Sequence, residues 1–310
     1  MRVIHQSNEL QPGSKRVCAA IGVFDGLHLG HRQVIAQTLR DAQALEAISV
    51  AVTFDRHPNE VVAPDRAPAL LQSTAQRLRM FEKLGIDVSL VIPFDTVFSQ
   101  KPAYEFIREL AADFQALRSL SVGSSFSFGY KRGGNVELLT ELGRKLNFRV
   151  HGLASVSLDG SIVSSTRIRQ AIQNGDFDQA NQMLGRAWAL EGKVISGDQR
   201  GRAIGFPTAN LDVAGRVIPP SGVYAIHAMV GTSVHRGVIN IGTRPTVHPG
   251  ASSISLEAHL LDFQGDLYDQ NLEITFVQRL REERRFASLD ALKLQIATDI
   301  ESARILFSKS

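Results

Sequence analysis

Two periodicities divide the chain. From residue 16 to about residue 170, short β-branched runs alternate with stretches whose apolar residues recur every three or four positions, the pattern of parallel strands joined by crossover helices. The runs fall at 16–22, 48–54, 88–92, 120–123 and 148–153. Between them Val34, Thr38, Ala42 and Leu45 share one helical face, as do Phe106, Leu110 and Phe114, and then Leu138, Leu142 and Leu146. After Ile168 and Ile172 a polar stretch, 173–179, leads into a short helix ending at Leu184. From Trp188 the period drops to two. Alternating segments at 190–196, 223–230, 236–241, 254–261 and 272–277 are separated by glycine and proline clusters, which reads as an antiparallel barrel or sandwich. A last helix is signalled by Ser288 as cap, Asp290 in the first turn, and Leu289, Leu292, Ile296, Ile300 and Ala303 on one face. The expected organisation is an α/β domain over 1–184 followed by a small antiparallel domain with a C-terminal helix over 185–310.

Composition narrows what such a chain can do. With 310 residues, 44% of them hydrophobic, it has enough apolar surface for two cores. Its 34 basic and 31 acidic side chains leave a formal charge of +3, and the basic residues are scattered, so small anions such as nucleotides fit better than a nucleic acid. Residues 1–10 lack the charged start and apolar core of a signal peptide, and no run of eighteen apolar residues occurs, so no membrane partner is expected and the cytoplasm is the expected location. Assembly into a homo-oligomer is left open. The single cysteine, Cys18, excludes an internal disulfide and a thiolate metal cluster and is expected inside a strand.

The first chemical constellation follows the strand at 16–22. Gly22, Phe24, Asp25, Gly26, His28, Gly30 and His31 stand between that strand and the next helix. Two histidines three apart at a helix start point the same way, and Gly30 lets a phosphate approach the backbone. With the unpaired amides and positive end of the helix they can hold a triphosphate while another substrate's phosphate attacks its α-phosphorus. Alone, such a pair would read as surface histidines in a glycine turn; the strand before and helix after favour the phosphate reading. A catalytic zinc fits less well, because no third ligand is evident. Farther on, Ser164, Ser165, Thr166, Arg167 and Arg169 open a helical pattern, and hydroxyls and a guanidinium there suit a second grip on leaving pyrophosphate.

The second constellation is the glycine-rich and arginine-rich segment 197–210. It lacks the lysine-hydroxyl pair of a Walker loop, yet Gly201, Arg202, Gly205 and Pro207 can wrap phosphates, and Thr208 and Asn210 offer oxygens to Mg²⁺ on alternate positions. Glu257 lies in an alternating segment, where a carboxylate can accept the proton of an attacking hydroxyl. Taken singly, each has a plainer reading, a hairpin turn and a solvated strand residue.

Taken together, the motifs resemble those of the prokaryotic bifunctional riboflavin kinase/FAD synthetases. GxFDGxHxGH at Gly22–His31, Phe54 with Asp55, His57 and Pro58, Gly123 with Phe126, Phe128 and Gly129, and VSSTRIR at 163–169 stand in that family's order over the first half. GFPTAN at 205–210, GVYA at 222–225, NIGTRPT at 240–246, LEAHLLDF at 256–263 and DLY at 266–268 do so over the second. The resemblance implies a Rossmann-like nucleotidyltransferase domain followed by a riboflavin kinase β-barrel, with ATP as co-substrate, Mg²⁺ as cofactor, and riboflavin, FMN and FAD as substrates or products. It implies flavin contacts for Phe54, Ser125, Phe126 and Phe128 in the first domain and for Asp262, Arg281, Glu283 and Phe286 in the second, Mg²⁺ and ATP contacts for Thr208 and Asn210, and Glu257 as general base. Arg56, Ser125 and Ile162 depart from the family's pattern. A riboflavin kinase with a weakened or lost first module is accordingly the runner-up reading, and a flavin-nucleotide binder without turnover is the third.

Overall fold

The apolar runs of the first half become neighbouring strands of one parallel sheet. In a computed structural model that describes residues 1–197, 201, 204–245 and 252–309, the strands are β1 Arg2–Ile4, β2 Val17–Ile21, β3 Ile48–Phe54, β4 Val88–Ile92, β5 Leu117–Gly123 and β6 Arg149–Leu153, in the order β1-β4-β3-β2-β5-β6. All five pairings are parallel. Helices cover both faces, as a parallel sheet requires. Val50, Val52 and Phe54 pack with Phe106, Ile107 and Leu110 of α5 Ala103–Asp113 on one side. On the other, Ala20 and Ala51 meet Val34 and Ile35 of α1 Leu29–Leu45 and Phe81 of α3 Thr74–Leu84. Cys18 is buried in β2, and a two-strand hairpin, β7 Ser157–Leu158 and β8 Ser161–Ile162, follows the sheet.

Two elements of this sheet were not visible in the periodicity. β1 has three residues and only Ile4 buried, too short to show alternation. In α3 Gln76 and Arg77 are buried beside Phe81, so polar residues interrupt the inward face on which Leu78, Phe81 and Leu84 pack. Local chemistry does mark its ends: Ser73 and Gln76 form a capping box, and Gly85 stops the helix at φ +92°.

The second half closes into a six-stranded barrel, β10-β13-β12-β11-β14-β9, rather than a sandwich. Its strands are β9 Ala189–Ile195, β10 Ala209–Asp212, β11 Gly222–Val230, β12 Ser233–Pro245, β13 Ser252–Leu260 and β14 Asn271–Arg281, paired antiparallel throughout. Alternation sends Leu256, Ala258 and Leu260 inward and leaves Glu257 and His259 on the outer face. β11 is buried on both sides. Tyr224 and Ile226 fill the barrel, while Val223 and Ala225 meet Ala303 and Phe307 of the last helix, α9 Leu289–Ser308, which Ser288 caps through Ala291 N–H. Leu289, expected on the packed face, is the first helical residue and stays exposed. β10 was missed because it lies within the segment whose glycines and proline signal only turns.

The chain divides into two compact units, Met1–Ile168 with Met183–Gly185 and Arg169–Gln182 with Arg186–Ser310, so both draw on the helices α7 Ser165–Gln173 and α8 Phe177–Leu184. In the second unit the near-parallel rings of Phe276, Phe177 and Trp188 form a triangle, with Phe276 5.1 Å from Phe177 and 5.5 Å from Trp188, those two 6.2 Å apart, and Tyr224 edge-on to Phe276 at 5.4 Å. Among the described residues no helix is long and apolar enough to cross a membrane.

Phe276→Ala removes the ring that meets Phe177, Trp188 and Tyr224 alike and is expected to destabilise the second unit by about 3–5 kcal/mol. Trp188, the chain's single tryptophan, reports that unit directly, and a denaturation midpoint by its fluorescence that does not move would contradict the packing described.

Candidate active sites

β2 ends in the middle of the first sheet, where the strand order turns with β3 on one side and β5 on the other, the place at which open α/β sheets form a crevice. The chain leaves it through a turn in which Phe24, Gly26 and Leu27 take φ of +53°, +85° and +41°. Left-handed backbone at a residue other than glycine costs on the order of 1–3 kcal/mol and persists only where surroundings impose it. Here Leu71 N–H donates to both Asp25 carboxylate oxygens at 3.0 and 3.2 Å, and Gln72 Nε2 donates to the Phe24 carbonyl at 3.0 Å. A Cβ at Gly22 would stand 3.0 Å from the Phe24 ring. Gly22, Phe24, Asp25 and Gly26 thus build the turn.

The turn delivers His28 as the cap of α1, its Nδ1 accepting the His31 N–H at 3.4 Å. A neutral ring that accepts at Nδ1 carries its proton on Nε2. The two imidazoles stack with centroids 3.7 Å apart, and a Cβ at Gly30 would lie 3.2 Å from the His28 ring. Burial, then the neighbouring His28 and Arg77, push the His31 pKa well below the ordinary 6.5, so His31 is neutral at pH 7. Its Nδ1 is buried and has no hydrogen-bond partner among the described residues.

Beneath this pair lies a residue the sequence did not single out. Arg77 of α3, buried, donates to the carbonyls of Val23 at 2.7 Å and Phe54 at 2.6 Å, just past the end of β2 and at the end of β3. It ties together the two strand ends from which the histidine turn and the Phe54–Pro58 segment leave. Ser165 Oγ donates to the Asp25 carbonyl at 2.8 Å, bringing the start of α7 onto the same turn, and Ser164 Oγ caps that helix by accepting from Arg167 N–H. Thr166 is exposed and Arg169 partly buried on α7. The Arg167 guanidinium is held by the carbonyls of Leu158 and Ser161, both at 3.1 Å.

Phe54 and Phe128, far apart in sequence, are joined by a run of ring contacts through Phe98 and Phe106, and Phe126 stacks on Phe128 at 5.3 Å and 13°. Phe54 and Phe128 are buried, Phe126 is partly exposed and Ser125 is exposed. Arg56 pairs with its neighbour Asp55 at 3.3 Å.

In the second unit a cavity of about 280 Å³ opens between the outer face of the barrel and α9. Gly201, Thr208, Glu257, Arg281, Glu283 and Phe286 line it, all expected from the sequence. Asn240, His259, Ile296 and Asp299 line it too and were not expected. A second cavity, about 560 Å³, is lined by Pro207, Thr208, Ala258, Phe263, Asp266 and Tyr268 among others, so Thr208 belongs to both. Asn210 and Asn240 stand directly opposite Glu257 on the two flanking strands, which places a carboxylate between two amides in one row. The glycine segment folds close over them. A Cβ at Gly197 would lie 2.3 Å from the Asn210 amide, and one at Gly201 would lie 3.0 Å from the Thr208 hydroxyl. Gly205 turns with φ +91°, and Arg202 lies outside the described residues.

Two of the expected flavin contacts are occupied with other partners. Arg281 donates from Nε and a terminal nitrogen to the buried carboxylate of Asp299 at 2.8–3.0 Å, and from the other to the Glu282 carbonyl at 2.9 Å. Its plane lies 5.6 Å from the Phe286 ring centroid. Asp262 lines neither cavity and pairs with Arg304 of α9, whose guanidinium holds that carboxyl below its ordinary range. Glu283 points its carboxylate at Gly242, where a Cβ would come within 2.3 Å of Oε1.

Residues 10–167 match the family model for FAD synthetase, and residues 184–307 match that for riboflavin kinase. A bifunctional riboflavin kinase/FMN adenylyltransferase from Pseudomonas fluorescens is 39% identical over 310 residues, covering 100% of this chain and 99% of that one. The chain belongs to this bifunctional family. Relatives of the same description from Escherichia coli K12 and Bacillus subtilis 168 are 37% and 32% identical, each over 99% of this chain and 98% of their own. A solved structure from Streptococcus pneumoniae, titled as a macrolide-efflux protein, superimposes with a TM-score of 0.81 at 26% identity over 98% of this chain and 99% of that one. Both enzymatic domains of the riboflavin kinase/FMN adenylyltransferase family are therefore present, the Rossmann-like unit first and the barrel with its C-terminal helix second. Nothing in the comparisons favours a family member that has lost its first module.

Arg77 was missed because a buried arginine spoils rather than signals an amphipathic helix. Asn240 and His259 were missed because only strand register reveals them.

The low pKa of His31 fixes the sign of a pH effect. Unfolded, it takes up a proton near pH 6.5; folded, only well below that, so the first unit loses stability as pH falls through and below about 6.5. The fall in its melting temperature between about pH 7.5 and about pH 5.5 is expected to be smaller in His31→Asn than in the unaltered protein. Equal falls would place the linkage elsewhere.

Proposed function

We propose that the barrel unit phosphorylates riboflavin to FMN with ATP, and that the sheet unit transfers AMP from a second ATP onto FMN, giving FAD and pyrophosphate. The observation that carries the kinase assignment is the row Asn210, Glu257, Asn240 beside Thr208, where two cavities meet. The 280 Å³ cavity, with its aromatic ring and apolar helix residues, suits the flavin, and the larger one suits the nucleotide. Glu257 accepts the proton as the riboflavin hydroxyl attacks the γ-phosphorus, and ADP leaves. Gly201, Gly205 and Pro207 keep the phosphate loop close, and Arg202 contributes a charge from the same segment. Arg281, fixed by Asp299, and Glu283 hold Phe286 and the cavity wall in place, and Asp262 anchors α9 through Arg304.

The donor set fits Mg²⁺. Thr208 and Asn210 offer neutral oxygens under a glycine cradle too tight for a Cβ, and Mg²⁺ ordinarily keeps few protein ligands beside waters and substrate phosphates. When bound, it neutralises phosphate charge.

In the sheet unit no protein nucleophile is needed, because the FMN phosphate itself attacks the α-phosphorus. His28 and the neutral His31 supply N–H donors next to the start of α1, where negative charge is favoured, and Ser164, Ser165, Thr166 and Arg169 serve the leaving pyrophosphate. The buried Nδ1 of His31, without a hydrogen-bond partner among the described residues, supports a ligand there. Phe126, on Phe128 and in line with Phe54, offers a planar surface for the isoalloxazine, with Ser125 at its edge. The division of labour follows residues 1–184 and 185–310. The enzyme acts in the cytoplasm on small-molecule flavins and ATP, without nucleic-acid or membrane partners.

With riboflavin, ATP and Mg²⁺, the unaltered protein is expected to produce FMN that converts to FAD, followed by chromatography over time. Glu257→Gln should lower FMN formation by about a hundredfold or more while leaving adenylylation of supplied FMN intact. Loss of both activities would contradict separate sites, and FMN accumulating without FAD in the unaltered protein would contradict an active first unit.

A further inference from the structure

His259 lies two residues beyond Glu257 on the outer face of β13, lines the same cavity, and has no role in the reaction assigned above. Its surroundings give it one. The ladder between β10 and β13 pairs Ala209 with Ala258 and Asn210 with Glu257, and there it stops. Pro207 has no N–H, so the ladder cannot continue through it, and the next backbone tether before Thr208 is the Phe206 N–H on the Gly201 carbonyl at 2.8 Å, which does not fix Pro207 to β13. The His259 imidazole takes over at this point: Nδ1 lies 2.8 Å from the Pro207 carbonyl, and Phe206 packs edge-on to the ring with centroids 6.1 Å apart. A carbonyl only accepts, so Nδ1 carries the proton. Thr208, the next residue, is the one that faces both cavities.

We propose that His259 is a positioning residue for phosphoryl transfer. It holds the Pro207 carbonyl by its Nδ1–H and so fixes the Thr208 hydroxyl against the phosphates of the incoming Mg²⁺–ATP. This rests on the assignment of the kinase site to the barrel. The role depends on where the donor sits on the side chain, not on the presence of an imidazole. Asparagine carries an N–H on the atom bonded to Cγ, as histidine Nδ1 is, whereas glutamine places its N–H one atom farther out.

Full-length His259→Gln and His259→Asn are assayed for FMN formation with Mg²⁺–ATP varied at saturating riboflavin, and for riboflavin affinity without nucleotide by quenching of flavin fluorescence. His259→Gln is expected to raise KM for Mg²⁺–ATP about five- to tenfold, the worth of one neutral hydrogen bond, with riboflavin affinity changed less than about twofold. His259→Asn is expected to bring KM back to within about twofold of the unaltered enzyme. A merely structural histidine would not be rescued by asparagine over glutamine. Equal KM values in both variants, or weakened riboflavin binding with KM for Mg²⁺–ATP unmoved, would overturn the proposal. The underlying site assignment fails separately: it falls if Glu257→Gln still makes FMN, while an inactive Glu257→Gln with an unmoved His259→Gln overturns the positioning role alone.

Discussion

Successive side chains on a β-strand must leave on opposite sides, and what each side then meets decides where chemistry can sit in this protein. In the parallel sheet helices cover both sides, the central strands are largely buried, and the polar side chains on them are small hydroxyls such as Ser49, Thr53, Ser89, Ser119 and Ser121. Functional residues are displaced to the strand ends. In the barrel one side of each strand closes on the core and the last helix covers the other side of β11 but not the whole outer wall, so Glu257 and His259 stand on the wall itself, one residue away from Leu256, Ala258 and Leu260 inside. One rule of geometry yields a site at the rim in one unit and a site on the wall in the other.

In the proposed sites much of the grip on anionic substrates comes from groups without net charge. In the sheet unit these are backbone amides at a helix start, hydroxyls and a neutral imidazole, beside the charged Arg169, with the buried Arg77 set back behind carbonyls. In the barrel unit a carboxylate stands between two amides, and the nearby arginine Arg281 is already spent on Asp299. Polar groups fixed in advance by neighbouring backbone lose less on binding than flexible charged side chains that must first be ordered.

The motifs that named the family were legible because they are local: a glycine turn between strand and helix, a proline-threonine segment, a capped helix. Most strand positions followed from the apolar runs and alternating segments, with β3 and β4 bounded as expected and β5 reaching back to Leu117, while β1 and β10 did not. What stayed hidden was made by register or by polar burial. Asn240 reaches Glu257 only through the pairing of β12 with β13, and Arg77 faces inward on a helix whose stripe it interrupts. The sequence was also silent on protein partners: Asp25, bonded by the Leu71 amide, Arg281, bonded to Asp299, and Asp262, bonded by Arg304, sit in motifs that suggested ligand contacts.

Asp25 shows what that distinction means for reading variants. Its carboxylate braces a strained turn against the Leu71 amide, and the turn in turn aims His28. A collection of inactive mutants would therefore place Asp25 and His28 in one class, although the hydrogen bonds of one brace the turn and the other is, in the function proposed above, a donor to the nucleotide. Intolerance to change near this crevice measures how much backbone must be braced as well as how many groups touch a nucleotide, and counting intolerant positions would overstate the size of the binding surface.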